Sequence, residues 1–526
     1  MKRRKNTSNS NEEKEVILEQ NVAKTLVGMK NFYEKRERDN RVSRTVGMLL
    51  SGIQLCMSVS FVFSLIALGM LPTKYMTAVI GVLAIFVLAI FIGQFLSKKN
   101  AITGKVISVL LSIILLIGTI FILKTNNTVE EVSGGDTKKD RIVVAVLADD
   151  PAQTIQDAKD YNFGVQYKLK TEQITTAVGE ITNELGKEIQ TTECESLQDQ
   201  AEKLYSGEID AMIFNEAYTS IIEEEFEDFS EDIKNIYQHE ITTKLVLNSA
   251  AAQEVLEQSF TVYISGIDVY GEIETNSRSD VNILAEVNPV THQILLVTTP
   301  RDYYVELPGV SEGMGDKLTH AGIYGVDVSM ATLDQLYETE TEFYARVNFT
   351  SMIEMIDALG GVDVYSEYAF TTSPNSGKVF DVVEGMNHFE GKQALAFCRE
   401  RKNVPGGDTQ RGKNQQAVIT AMIQKAISPA ILVGANDLLA SVSGNVDTNM
   451  TQQQIQALIR SQLEKPEAWK IKSMAAESIS DMQYCYSAGY TLLSVEYPVQ
   501  ESVDEIKMAL DAVENGQVFE DSEVAE

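Results

Sequence analysis

Three long apolar runs without a charged side chain lie near the N-terminus of the chain, at 46–71, 77–96 and 106–123. Each run is long enough to cross a hydrocarbon core of about 30 Å, because a helix rises about 1.5 Å per residue. The first run begins too far from the N-terminus for a secretory signal peptide, and no small-residue cleavage site follows it. The pattern therefore predicts three transmembrane helices within residues 45–124, preceded by a tail over residues 1–44.

The distribution of lysine and arginine predicts how these helices cross the membrane. The tail carries a net charge of +5, and the loop between the second and third runs contains Lys98, Lys99 and Lys105. Cytoplasmic segments of membrane proteins are enriched in such residues. We therefore expect a multi-pass protein of the cell membrane with a cytoplasmic N-terminus. After three crossings, the large region that follows Lys124 is expected to be extracellular.

Alternating strands and helices follow a polar segment over residues 125–140, which contains Gly134-Gly135 and which we interpret as a linker. The pattern predicts strands at 141–147 and 210–214, and helical stretches from about Thr154 and at 197–206. Alternation of this kind is typical of a small α/β domain. We predict an accessory α/β domain over residues 141–250.

A different pattern begins near residue 258. Strands are predicted at 260–266, 281–287 and 293–299, and the last two form a hairpin across 288–292. A helix over 350–359, an extended segment over 394–401 and a helix from about 409 to 427 follow. We therefore predict a layered α/β (α+β) domain over residues 258–512, with a mixed sheet and flanking helices. The acidic residues 513–526 are expected to be disordered.

The acidic charge of the chain excludes one class of partner. The net charge after Thr125 is −41, and such a surface repels the phosphates of nucleic acids. We therefore expect no nucleic-acid partner for this region. The four cysteines are too few for a disulfide framework. Whether Cys398 and Cys485 pair is left open, because sequence does not show their geometry.

Two aspartates flank the turn between the first two strands of the third region. Asp268 ends the first strand and Asp280 opens the next. If these strands pair in antiparallel fashion, both carboxylates lie on one rim of the sheet. Mg²⁺ is commonly bound by one or two carboxylates together with phosphate oxygens of a substrate. On the residues alone, aspartates near turns are more often capping or turn residues.

Four arginines come from three separate stretches of the same domain. Arg301 follows a predicted strand, and Arg399 and Arg401 are two residues apart, so a strand would project both to one face. Arg411 lies one helical turn before Gln415 on the same face. Guanidinium groups match phosphate oxygens in bidentate geometry, so the set predicts a site for a di- or triphosphate-like anion. Scattered surface salt bridges are an equally open interpretation in so acidic a domain.

Several segments of this domain resemble, in order along the chain, motifs of the LytR-CpsA-Psr family. They are 266–280 (GIDVYGEIETNSRSD), 300–302 (PRD), 347–349 with 359–362 (VNF and LGGV), and 384–416 (EGMNHFEGKQALAFCRERKNVPGGDTQRGKNQQ). The resemblance covers roughly residues 260–425. Three membrane helices followed by an accessory domain are similar to the architecture of capsule-associated members in streptococci and their relatives.

The resemblance implies a catalytic domain of this family and a phosphotransferase activity. Such enzymes pass a glycosyl phosphate from a polyprenyl-pyrophosphate carrier to a sugar hydroxyl of peptidoglycan, which attaches capsule or a teichoic-type polymer to the wall. The implied partners are the polyprenyl-pyrophosphate-linked glycan, peptidoglycan and membrane lipid.

The resemblance also implies roles for particular residues. Asp268 and Asp280 would hold Mg²⁺ (or Mn²⁺). The catalytic set that binds the pyrophosphate would be Arg301, Arg399, Arg401 and Arg411. Supporting substrate contacts would come from Arg278, Lys317, Asp408 and Gln415. Asp302 would act either as a general base or as a residue that orients an arginine, and both roles stay open.

Two other functions compete with the enzymatic one. A non-catalytic binder of the lipid-linked glycan would use the same arginines to regulate polysaccharide assembly without turnover. A transcription regulator would require the third region to lie in the cytoplasm, against the distribution of lysine and arginine.

Overall fold

A computed structural model of the chain describes residues 5–96, 102–245, 255–267, 273, 275–426 and 446–519. The side chains of residues 5–23, 349–350, 408–409 and 426 are outside this description. The chain forms two compact units, Met1–Asn126 and Asn127–Glu526. The first unit is built from three helices, of which the third continues into the second unit: α1 (Lys5–Leu68), α2 (Thr73–Leu96) and α3 (Ile102–Val132).

Three helical segments are long and apolar enough to cross a membrane, which confirms the predicted apolar helices: Lys24–Leu68, Thr73–Leu96 and Ile102–Val132. Their large apolar side chains are mostly exposed, as expected for surfaces that face lipid rather than a protein core. The helices are longer than the predicted runs because polar residues continue them. Gly134, with φ +73°, follows the end of α3, and β1 begins at Thr137, so the polar connection is shorter than the linker predicted over 125–140.

The accessory domain contains a five-stranded mixed sheet with the strand order β3-β2-β4-β1-β5. β1 pairs in antiparallel fashion with β4 and β5, whereas β2 is parallel to β3 and β4. The strands are β1 (Thr137–Leu147), β2 (Asn162–Val165), β3 (Gln190–Glu193), β4 (Ala211–Asn215) and β5 (Ile233–Lys244). The helices are α4 (Thr171–Leu185), α5 (Leu197–Ser206), α6 (Thr219–Ile222) and α7 (Phe229–Asp232).

The helical stretch predicted from about Thr154 is wrong. Residues 154–160 form turns, and the next helix, α4, starts at Thr171. Asp157 Oδ2 accepts hydrogen bonds from the backbone N–H groups of Gln153 (3.0 Å) and Thr154 (2.9 Å). An aspartate that binds nearby backbone groups in this way competes with helix formation.

The catalytic-type domain is built on a sheet of six strands: β6 (Phe260–Ile267), β7 (Ser279–Asn288), β8 (Gln293–Thr299), β11 (Phe343–Asn348), β16 (Val446–Thr448) and β17 (Lys470–Ala475). Their order in the sheet is β16-β11-β6-β7-β8-β17. The predicted hairpin is present as the antiparallel pair β7–β8, and the pairs β6–β7 and β16–β11 are also antiparallel. The pairs β11–β6 and β17–β8 are parallel.

Smaller strand pairs surround this sheet, namely β9–β10, β12–β15, β13–β14 and β18–β19. Their bounds are β9 (Tyr304–Glu306), β10 (Gly315–Lys317), β12 (Val362–Ser366), β13 (Phe370–Thr371), β14 (Asp381–Val382), β15 (Gly385–Phe389), β18 (Ser478–Tyr484) and β19 (Leu492–Pro498). The described helices are α8 (Leu318–Tyr324), α9 (Val326–Tyr337), α10 (Phe349–Ala358), α11 (Gly391–Arg399), α12 (Asp408–Ala426), α13 (Gln452–Glu464) and α14 (Gln500–Glu514).

Helices cover both faces of the central sheet. Successive residues of a strand point to opposite faces, so neighbouring side chains pack on different helices. Leu284 packs with residues of α9 and α14, whereas its neighbour Ile283 packs on the face that carries Ile419 of α12. A further core joins the sheet of the accessory domain to the catalytic-type domain, through Phe214 and Val495 among others. The mixed sheets with flanking helices confirm the predicted fold class.

The extended segment predicted over 394–401 is wrong for most of its length, because Gly391–Arg399 is the helix α11. Glu390 and Gln393 form a reciprocal capping box at its N-terminus, which satisfies backbone N–H groups of the first turn. The helix buries Ala394, Phe397 and Cys398. Cys398 and Cys485 are both free thiols in this structure, so the disulfide left open by the sequence is not formed.

Candidate active site

A cavity of about 420 Å³ collects the four predicted arginines. They come from three separate stretches of chain, as the sequence suggested: Arg301, Arg399, Arg401 and Arg411. Asp280 and Gln415 line the same cavity. A narrow adjoining cavity of about 30 Å³ is lined by Asp280, Arg301, Arg411 and Gln415 as well. We call the two together the arginine pocket.

The register of the β7–β8 hairpin brings Asp280 and Arg301 together. Asn282 of β7 lies opposite Thr299 of β8, so the start of one strand is beside the end of the other. Arg301 Nη1 consequently donates to Asp280 Oδ1 at 2.5 Å. Both side chains are largely shielded from solvent, which strengthens the charge-assisted bond relative to a surface ion pair.

Glu400 holds Arg399 and Arg401 at the pocket, although the two do not share a strand face. Arg399 ends α11, and Glu400 Oε1 accepts from the backbone N–H groups of Arg401 (3.1 Å), Lys402 (2.8 Å) and residue 403 (3.0 Å). Its Oε2 accepts from Ser376 Oγ at 2.9 Å. Burial raises the pKa of Glu400, but hydrogen bonds from the backbone N–H groups of Ser373 and residue 403 and from the Ser376 hydroxyl outweigh burial and lower the pKa to about 2. The buried carboxylate thereby ties the segment that carries Arg399 and Arg401 to the turn at 373–376.

The helix α12 supplies Arg411 and Gln415 from one face, as predicted. Gln415 Nε2 reaches the carbonyl oxygen of Cys398 at 3.5 Å, which connects α12 to the end of α11. Asp408 is the first residue of α12, and its side chain lies outside the description.

Asp302 and Lys317 lie behind Arg301 rather than among the described residues that line the cavity. Asp302 Oδ2 is 3.5 Å from Arg301 Nε, and its Oδ1 is 3.4 Å from Lys317 Nζ. Burial raises the pKa of Asp302, but the charges of Arg301, Lys317 and Arg411 outweigh burial and lower it. A carboxylate held in its ionised form by cations is a weak proton acceptor. The geometry therefore favours the orienting role for Asp302.

The predicted metal site is only partly described. Asp268 lies outside the described residues, and Asp280 offers one carboxylate on the cavity wall. Within the described ranges, no group of three or more His, Cys, Asp or Glu side chains is arranged to hold a metal ion. One or two carboxylates beside a phosphate-binding surface nevertheless fit Mg²⁺, which takes its remaining ligands from phosphate and water. Arg278 precedes β7 and is not among the cavity-lining residues described.

Sequence reasoning missed several polar residues of the pocket. Besides Glu400, the cavity is lined by Ser373, Asn375, Ser376 and Lys402. Three of these residues lie in 373–377 (SPNSG), a segment whose sequence indicates only a turn. No spacing rule relates it to the arginines, so it could not be placed at the site from sequence.

The fold and the pocket together define a class: an α/β domain with an arginine-lined cavity, preceded by three apolar helices. The LytR_cpsA_psr family model matches residues 224–507. The chain therefore belongs to the LytR-CpsA-Psr family, which confirms the resemblance seen in the sequence.

Curated relatives cover part of this domain. The chain is 36% identical over 210 residues to the polyisoprenyl-teichoic acid–peptidoglycan teichoic acid transferase TagU of Bacillus cereus, a match that covers 40% of this chain and 66% of the relative. It is 36% identical over 189 residues to TagU of Oceanobacillus iheyensis, with 35% and 57% covered. The chain thus spans less than two thirds of the length of these relatives.

Solved structures resemble the chain more distantly. The crystal structure of B. subtilis TagU is 24% identical and has a TM-score of 0.38, with 50% of this chain and 100% of that chain covered. The crystal structure of protein gbs0355 from Streptococcus agalactiae is 22% identical and has a TM-score of 0.43, with 52% and 93% covered.

Proposed function

We propose that the chain is an extracytoplasmic phosphotransferase that moves a glycopolymer, capsule or a teichoic-type polymer, from a polyprenyl-pyrophosphate carrier to peptidoglycan. The observation that carries the proposal is the meeting of four guanidinium groups from three stretches of chain in one cavity of about 420 Å³. The B. cereus relative is named for transfer of teichoic acid from a polyisoprenyl carrier to peptidoglycan, which supports the same reaction class.

The proposed reaction breaks one phosphoanhydride bond and forms one phosphodiester bond. A sugar hydroxyl of peptidoglycan attacks the phosphorus that is attached to the glycan, and the hydroxyl loses its proton. The bond from that phosphorus to the bridging oxygen breaks, and polyprenyl phosphate leaves with the electron pair. Such transfer depends mainly on positioning and on neutralising the charge of the phosphoryl oxygens. Arg301, Arg399, Arg401 and Arg411 supply this neutralisation without a covalent nucleophile.

A divalent cation, Mg²⁺ or Mn²⁺, would contribute further. We propose Asp280 and Asp268 as its ligands, with phosphate oxygens and water completing the shell. The cation would supply positive charge to the pyrophosphate when bound. Arg301, which is paired with Asp280, would add positive charge beside the same carboxylate.

The lipid part of the donor needs an apolar surface beside the arginine pocket. A second cavity, of about 380 Å³, runs along α12 and has a mixed lining, in which Tyr365, Met386 and alanines of α12 lie among polar residues such as Lys413 and Gln424. Residues of α12 border both cavities, and the apolar side chains of this one would contact the isoprenoid chain. The membrane helices and the distribution of lysine and arginine support an extracellular location of this domain.

The test uses the full chain in lipid nanodiscs with a synthetic polyprenyl-pyrophosphate glycan, a peptidoglycan acceptor and MgCl₂. We expect release of polyprenyl phosphate that depends on acceptor and on Mg²⁺. Arg301→Ala should lower the rate at least 100-fold, on the scale of losing a charge-stabilising group at an active site. Arg460→Ala, on the surface helix α13, is the matched control and should keep the parent rate.

Two outcomes would contradict the proposal. Tight binding of the donor with no polyprenyl phosphate released under any acceptor would favour the non-catalytic binder. Protection of the acidic domain when intact cells are treated with protease would place it in the cytoplasm and favour a regulator of transcription.

A further inference from the structure

A cleft of about 310 Å³ lies between the accessory domain and the catalytic-type domain. It is lined by described residues that differ from those of the arginine pocket. One wall carries Tyr484, Tyr486 and Tyr490, which lie at the end of β18 and in the turn before β19. The accessory domain supplies the other wall, including Lys168 and Glu195. We call this cleft the tyrosine cleft.

A buried carboxylate, that of Asp316, holds the turn that carries the tyrosines. Asp316 Oδ2 accepts from the backbone N–H (3.0 Å) and the Oγ (2.5 Å) of Ser487. Tyr304 Oη donates to the carbonyl oxygen of Tyr484 at 3.0 Å. Cys485 between the two tyrosines is fully buried. Buried residues thus alternate with tyrosines, so the turn is pinned inward while its rings line the cleft.

The tyrosine rings on this wall are partly or largely exposed to solvent. Tyr490 is 81% exposed and Tyr484 is 48% exposed. Tyr486 is half-buried, and Lys168 Nζ lies 5.7 Å from the centre of its ring. Clustered exposed aromatic rings beside a cavity are typical of a binding surface rather than of a solvated loop.

The charges of the cleft restrict the chemistry of that ligand. Its ionisable walls offer one ammonium group, Lys168, and one carboxylate, Glu195, whereas the arginine pocket concentrates four guanidinium groups. A phosphate or polyanion would gain little here. A neutral ligand with apolar faces and many hydroxyl groups matches aromatic rings beside one ammonium group and one carboxylate.

We propose that the tyrosine cleft is a binding site for a neutral oligosaccharide. Sugar rings would stack on Tyr484, Tyr486 and Tyr490, and their hydroxyl groups would bind Lys168 and Glu195. Such a site is distinct from the proposed transferase pocket, and it holds whether or not that pocket turns over. Two sources share the chemistry, the glycan strands of peptidoglycan and the polysaccharide that is being attached.

The experiment is isothermal titration calorimetry on the full chain in nanodiscs. One arm uses chitohexaose, a neutral analogue of the N-acetylated glycan strands of peptidoglycan, and the other uses wall polysaccharide released from its phosphodiester linkage by hydrofluoric acid. We expect saturable binding in at least one arm, and the arm that binds identifies the source. Tyr490→Ala should weaken that binding at least tenfold, whereas Tyr490→Phe should retain it because the stacking face is kept.

Further variants separate a ligand site from a structural role. Glu195→Gln should weaken binding without lowering the melting temperature, since it removes an exposed carboxylate of the cleft wall. Tyr368→Ala, in another part of the domain, should bind as the parent does. Arg301→Ala should leave the affinity unchanged. Absence of binding in both arms, or binding that is lost with Arg301 but kept in Tyr490→Ala, would overturn the proposal.

Discussion

Replacing Glu286 by glutamine should stabilise the catalytic-type domain, and the gain should grow with pH. Glu286 lies on the central strand β7, opposite Thr261 of β6, and is only 3% exposed. Its Oε2 accepts from Thr261 Oγ1, whereas its Oε1 has no hydrogen-bond partner among the described atoms. Burial, together with the nearby charges of Glu342 and Glu514, raises its pKa from 4.5 to about 8. The folded protein therefore holds a proton that the unfolded chain releases at neutral pH.

The sign and size of the effect follow from proton linkage. Between pH 4.5 and about 8 the folded state binds more protons at this site, so stability falls as pH rises through that window. Each pKa unit corresponds to about 1.4 kcal/mol, so the cost grows from about 1 kcal/mol at pH 5 to about 3 kcal/mol at pH 7. Glutamine keeps an acceptor for Thr261 and has no proton to lose. Glu286→Gln should therefore gain about 2 kcal/mol relative to the parent between these pH values.

The single tryptophan of the chain provides a local probe for this test. Trp469 packs against the β7–β8–β17 core, so its fluorescence reports unfolding of the catalytic-type domain rather than of the membrane helices. Melting temperature changes by about 2–4 °C per kcal/mol in domains of this size, so the advantage of the variant should widen by about 4–8 °C from pH 5 to pH 7. Glu384→Gln, at an exposed site, is the control and should show no widening.

A pH-independent difference between Glu286→Gln and the parent would refute this reasoning. It would mean that Glu286 titrates near its ordinary pKa despite its burial. Alternatively, a cation beyond the described residues would stabilise its ionised carboxylate. A variant that is less stable than the parent at pH 7 would show that the hydrogen bond to Thr261 requires the carboxyl group.

Other predictions concern the arginine pocket and one buried ion pair. Glu400→Gln should raise the KM for the lipid donor about tenfold, because the segment that carries Arg399 and Arg401 loses a charge-assisted anchor; steady-state kinetics check this. Asp302→Asn should lower kcat without altering the shape of the pH–rate profile between pH 5 and 8, since the pKa of Asp302 is held below its ordinary value. Asp447→Ala leaves buried Arg346, now bound at 2.6 and 2.9 Å, without its carboxylate, and should destabilise the domain by about 3–5 kcal/mol in Trp469-monitored unfolding.

Local patterns were sufficient for the parts of the fold that depend on neighbouring residues. The apolar runs predicted membrane helices because length and hydropathy are local properties. The turn at 288–292 predicted the β7–β8 hairpin, and that hairpin alone brings Asp280 to Arg301. The spacing of Arg411 and Gln415 predicted one helix face, which the structure also has.

The environment of Arg399 and Arg401 could be predicted only in part. Their two-residue spacing is also the spacing of a strand face, but the capping pair Glu390 and Gln393 was the local signal for a helix. The arginines share the pocket because the helix ends at Arg399 and Glu400 then binds the following backbone N–H groups.

Glu286 and Glu400 show why sequence could not supply the rest of the electrostatics. Glu400 obtains part of its anchor from Ser376, 24 residues earlier in the chain, and the neighbours of Glu286 include Glu514 at the other end of the domain. An acidic residue in an acidic sequence looks like a solvated surface charge. Its pKa shifts up or down only when the fold decides whether it is buried among carboxylates or among N–H groups.

The short strand β10 connects the arginine pocket with the tyrosine cleft, the two proposed sites, which differ in charge. Asp316 and Lys317 are successive residues, and successive side chains of a strand point to opposite sides. Asp316 fixes the turn that carries the tyrosines through Ser487, whereas Lys317 pairs with Asp302 behind Arg301. The charge that anchors the neutral cleft and the charge that supports the arginine pocket thus share one rigid segment. A displacement of that segment would alter both sites together, and any coupling of their ligands through it must be equal in both directions.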